Sequence, residues 1–229
     1  MPSSLSIYLK HTATIKELEA RFGPMMNRYV FVGVDLAPID TLETGVCVLD
    51  QNKAIIKSDK LGGDAEILRF LASYIPEPEN AIIALDVPKS LSIQSKWRQQ
   101  EIKMHPLRLE TREGEEIDRF APRAREFYQR AEQNGYLMFN FFSQHAKLRY
   151  DLEIPYKTRT PQGCRALQTL IKERLSLENM PNNLSPSSVL DAMIGAYAGW
   201  ALWKGHDTED FNLYRDEEDR LYFDPLKRV

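Results

Sequence analysis

Three aspartates stand where a carboxylate is out of place. Asp35 closes the apolar run Tyr29-Val30-Phe31-Val32-Gly33-Val34, and Asp86 closes Ala81-Ile82-Ile83-Ala84-Leu85. Asp191 sits inside Val189-Leu190-Asp191-Ala192-Met193-Ile194-Gly195-Ala196-Tyr197. A carboxylate in apolar surroundings is costly unless it is paired, neutralised or bound to a metal. If the three converge, they make a site for a hard divalent cation. Magnesium and manganese take oxygen ligands, and magnesium completes its shell with waters and substrate phosphate oxygens. Two such ions between shared carboxylates can align an attacking water and stabilise the leaving oxygen of a phosphodiester. That chemistry needs no Ser or His nucleophile. His11, His105, His145 and His206 fall in no metal-ligand spacing.

Each aspartate also has an ordinary reading. An Asp after a strand often starts a turn through its side chain, and Pro38 near Asp35 suits that. Asp86 is harder to explain so, because Val87-Pro88 keeps the chain extended. With Pro186 at the first helical position, Asp191 lies beyond the capping residues of its helix. The trio on these elements, rather than any one member, points to a metal site.

The elements that must position them follow from periodicity. Strands are expected over residues 29–37, 44–50, 54–57, 81–87 and 136–142. Asp50-Gln51-Asn52 is a turn between the second and third. Apolar residues at 65, 68, 71, 72 and 75 predict a helix from Asp64 to Tyr74, ended by Pro76 and Pro78. Thr160-Pro161 opens a long helix to about Leu177, and Ser185-Pro186 opens the last large one. Residues 104–134 are charged and read as mostly helical, around Glu115 to Gln133. Residues 211–214 and 221–223 flank a charged turn and suggest a closing hairpin. The order implies an α/β fold with a mixed sheet, antiparallel at its start and parallel afterwards. The first and fourth strands then lie parallel and adjacent, and Asp35 and Asp86 emerge at one end. Asp191, Gly195 and Gly199 share a stripe by their spacing of four, which lets the last helix press closely on the sheet.

Bulk properties narrow the function classes. The chain has 229 residues, 43% of them hydrophobic and 28% charged, which suits one domain with a full core. Its net charge of -3 gives no global attraction to nucleic acid, so such binding needs a local basic patch. Cys47 and Cys164 are far apart and in no metal motif, as expected for reduced thiols of a cytoplasmic protein. No apolar stretch is long enough to span a membrane. Residues 1–28 have no apolar signal core and read as an extension with a short amphipathic helix over 14–22. Met25 and Met26 are alternative starts.

Taken together, the sequence resembles the domain of unknown function 429 family over about residues 29–229. The resemblance rests on Gly33-Val34-Asp35, Leu85-Asp86-Val87-Pro88 with Leu91, Arg98 with Glu101, Tyr156-Lys157, Leu190-Asp191-Ala192 with Ala196-Tyr197, and Phe223-Asp224-Pro225. It implies a single domain with an RNase H-like fold, related to Holliday-junction resolvases. The expectation is a mixed five-stranded sheet flanked by helices, with a helical insertion at about 104–134 and a C-terminal hairpin. It also implies metal-dependent phosphodiester hydrolysis, a nuclease activity, with Asp35, Asp86 and Asp191 as ligands of Mg2+ or Mn2+. Glu101 is either a fourth acidic member or a partner of Arg98. Many relatives carry a second acid one turn before the helix aspartate, where this chain has Ser187 and Ser188. A non-catalytic module of the same fold, binding nucleic acid or protein, is the alternative.

Basic residues divide into two groups. Arg112, Arg119, Arg123, Arg125 and Arg130 alternate with acids and read as a solvated, ion-paired face. Lys147, Arg149, Lys157, Arg159 and Arg165 are more one-sided and are better candidates for phosphate contacts. Lys89 and Arg98 follow the strand that ends in Asp86, and either face a substrate phosphate or simply solvent.

Overall fold

A computed structural model describes residues 29–75, 77–87 and 120–204, together with the backbone of four strands at 109–112, 115–118, 212–215 and 221–224. The chain opens with three antiparallel strands, β1 (Val30–Asp35), β2 (Thr44–Asp50) and β3 (Ile55–Leu61). Asp50 makes the expected turn, its Oδ1 accepting the backbone N–H groups of Asn52 and Ala54, both at 2.8 Å. Helix α1 (Asp64–Tyr74) crosses back and delivers β4 (Ala81–Asp86) parallel to β1. Two short strands, β5 (Leu109–Arg112) and β6 (Glu115–Asp118), form a separate antiparallel pair. Helix α2 (Phe120–Gln133) then leads to β7 (Leu137–Phe141), parallel to β4. Helices α3 (Ser143–Arg149), α4 (Pro161–Leu175) and α5 (Ser187–Lys204) follow, and the hairpin β8 (Asn212–Arg215) and β9 (Leu221–Asp224) ends the described chain.

The five core strands take the order β3-β2-β1-β4-β7, the RNase H-like mixed sheet with helices on both faces. The hairpin extends that sheet to seven strands, because β9 pairs in parallel with β7. Within residues 104–134 the structure departs from a mostly helical reading. Residues 109–112 and 115–118 are strands, and the helix starts only at Phe120. Gly114 disfavours a helix there by about 1 kcal/mol relative to alanine, and the run is too short to recover that by packing an apolar face.

Side-chain alternation splits the core into two layers. Val32, Val34, Ile83, Leu85 and Met138 meet Phe70, Leu71, Phe120 and Phe127 of α1 and α2. On the opposite face Phe31, Ile82, Ala84, Phe139 and Phe141 meet α5, with α4 packed beyond it. β1, β2 and β4 are apolar on both sides because both sides are covered, whereas the edge strand β3 carries Lys57, Asp59 and Lys60. α5 is buried almost all round, so its hydrophobic residues show no single face.

Candidate functional site

Asp35 and Asp86 are direct partners in the parallel β1–β4 ladder, each the last residue of its strand. Paired residues of neighbouring parallel strands share a face. By alternation from Phe31 and Gly33, and from Ile82 and Ala84, that face is the one covered by α5. Asp86 is buried and Asp35 half-buried. The backbone N–H of Ser143, the first residue of α3, donates to Asp86 Oδ1 at 3.2 Å. Asn140 is buried and, by alternation from Met138, lies on the opposite face, so it does not belong to this group.

Close approach of α5 sets the third member. A Cβ on Gly33 would lie 1.8 Å from the Ala192 carbonyl oxygen, and one on Gly195 would lie 2.6 Å from the Phe141 ring. The helix therefore rests backbone-to-backbone on β1. Farther along, Trp203 stacks near Phe31 and Tyr29, with ring centroids 5.3 and 5.8 Å away. α5 thus runs counter to β1, and its early turns overlie the carboxyl ends of β1 and β4. Asp191, one turn before Gly195 on the same stripe, comes to the strand ends that carry Asp35 and Asp86.

Asp191 is already paired there. Lys147 Nζ lies 2.6 Å from Asp191 Oδ1, with the two side chains 6% and 14% exposed. Neither atom has a hydrogen-bond partner beyond that contact among the described residues. Burial pushes the Asp191 carboxyl above the usual range, while the positive charges of Lys147 and Arg159 pull it back. Lys147 therefore is not the exposed phosphate contact that its basic neighbourhood suggests. Four residues after Ser143 on α3, it shares a helix face with the N–H that holds Asp86. Nothing local in the sequence marks α3 or this pair, since the partner comes from α5.

Among the described residues, no group of three or more His, Cys, Asp or Glu side chains is gathered as a bound metal requires. Asp35 and Asp86 offer hard oxygen donors side by side, which suits one divalent ion. Asp191, in contact with an ammonium group, does not present the same fit. Lys157 is exposed on a turn before α4. Its carbonyl accepts from Thr160 Oγ1 at 2.8 Å and would be 2.1 Å from a Cβ at position 163, so glycine is required there. Thr160 in turn caps α4, accepting the Gly163 N–H at 3.1 Å. Lys89, Arg98, Glu101 and residues 1–28 lie outside the described residues. No helix among the described residues is long and apolar enough to cross a membrane.

No protein-family model and no curated protein matches the chain. Among solved structures it is similar to Thermus thermophilus RuvC, with a TM-score of 0.44 and 14% identity, over 77% of this chain and 96% of that one. The fold is accordingly read from the strand order and register of this chain itself.

Proposed function

We propose that the protein is a divalent-metal-dependent phosphodiesterase, a nuclease acting on structured or single-stranded nucleic acid. The observation that carries this reading is the in-register pair Asp35 and Asp86 beneath the first turns of α5. Adjacent strands lie about 4.8 Å apart, which puts carboxyl groups on paired residues of one face within reach of one ion. Mg2+ and Mn2+ take such oxygen donors. Such an ion, when bound, polarises a phosphate ester and acidifies water. In this reading Asp35 and Asp86 hold the ion, and Asp191 is the third acid of the site. The Ser143 N–H keeps Asp86 oriented. Lys157 and Arg159 meet backbone phosphates, joined by Lys89 and Arg98, with Glu101 as a further acid. Because the whole chain is slightly acidic, nucleic-acid affinity resides in that local patch and falls steeply with salt.

Asp86→Asn tests the reading. Manganese-dependent cleavage of a panel of single-stranded, duplex and junction substrates should fall to background, with the circular dichroism spectrum unchanged. Cleavage at the wild-type rate by the folded variant would refute it. One observation favours a second reading. A lysine occupies the third aspartate, which suits a module of the same fold that binds nucleic acid or protein without turnover. Binding without cleavage across the same panel, and no calorimetric response to Mg2+ or Mn2+, would select it.

A further inference from the structure

We propose that the Lys147 ammonium is a resident cation that holds the Asp191 position in place of a second metal ion, so that the centre takes a single divalent ion at Asp35 and Asp86. This deepens the metal-dependent reading above and rests on it. Lys147 Nζ is 2.6 Å from Asp191 Oδ1; the lysine is buried, and the Asp191 side chain is 14% exposed with its Oδ1 out of contact with water. That oxygen is the only acceptor the ammonium touches among the described residues. A divalent ion on the same oxygen, about 2.1 Å away, would stand at most about 4.7 Å from the ammonium, where the two cations repel. The helix offers no carboxylate one turn earlier to offset that repulsion, since Ser187 and Ser188 occupy those positions. Lys147 also sits one helical turn after Ser143, whose N–H donates to Asp86. One short helix therefore fixes one acid of the β1–β4 carboxylate pair and neutralises the acid of α5.

The test counts Mn2+ ions bound to the full chain by electron paramagnetic resonance titration. Wild type should bind one ion, lost in Asp35→Asn or Asp86→Asn. Lys147→Met should bind two, and Lys147→Met/Asp191→Asn should return to one. The double variant has no unpaired charge at the buried site and serves if Lys147→Met does not fold. Two ions on wild type, or loss of the ion in the double variant, would overturn this inference and leave a metal-dependent enzyme standing. No more ions on folded Lys147→Met than on wild type would also overturn it. No ion on wild type but one on Lys147→Met would overturn the single-ion centre and the metal-dependent reading of the wild-type protein together. No ion on either would overturn both.

Discussion

Replacing Gly33 with alanine adds one methyl group where α5 crosses β1. An ideal Cβ there lies 1.8 Å from the Ala192 carbonyl oxygen, 2.6 Å from the Ala196 nitrogen and 2.8 Å from the Ala192 carbonyl carbon. Ordinary contact begins near 3.4 Å, so the shortfall, 3.4 minus 1.8, is about 1.6 Å. All three atoms are backbone, and no rotamer change relieves the clash. Either α5 lifts or β1 bows. A gap of only 0.5–1 Å already forfeits a quarter to a half of a dispersion contact, so a lifted helix loses most of its packing at this crossing. Overpacking costs about 1–3 kcal/mol, and a backbone-on-backbone clash belongs at the upper end. A loss of about 3 kcal/mol lowers the melting temperature of a domain this size by about 6–12 °C. Gly199→Ala is the matched control. Its Cβ would meet Ile82 Cγ2 at 3.5 Å, an ordinary contact, and alanine favours a helix interior by about 1 kcal/mol. That variant should melt at or a few degrees above wild type. Scanning calorimetry and urea unfolding read both. A Gly33→Ala protein that melts with wild type would refute the close crossing, and so would equal destabilisation by both variants.

Two further predictions concern the frame around the site. Arg123 is buried, donates to Asp64 from Nε at 3.0 Å and from Nη2 at 2.8 Å, and also donates to the Ala37 carbonyl just beyond β1. Arg123→Met should cost about 3–5 kcal/mol in urea unfolding by stranding Asp64, and Arg123→Met/Asp64→Leu should recover much of it; a loss under about 1 kcal/mol would refute the clamp. Burial pushes the Cys47 thiol far above its ordinary range, so it stays protonated beneath α5 and should resist iodoacetamide at pH 8 until the protein unfolds. Mass spectrometry of the native protein checks this, and rapid alkylation at Cys47 would refute the placement of β2 under the helix.

Local chemistry determined a good deal by itself. The apolar runs that became β1 and β4 end at Asp35 and Asp86 because a buried strand tolerates charge only at its mouth. Thr160-Pro161 marks the start of α4, since a capping oxygen and a fixed φ suit that place. The glycine stripe signals a helix pressed on a sheet, and Gly195 meets Phe141 and Gly33 accordingly. The 109–118 region was less legible, because charged residues of similar propensity carry little period. The state of the third aspartate was not legible at all. In sequence, Asp191 is an acid awaiting a cation, and Lys147 is one basic residue among several. Only the packing of α3 against α5 brings them together, burying Lys147 and the contacting oxygen of Asp191, and that burial makes the pair obligatory, because neither charge can be left alone away from water. Sequence thus set which carboxylates reach the strand ends, while tertiary structure decided that one of them arrives with its cation already in place.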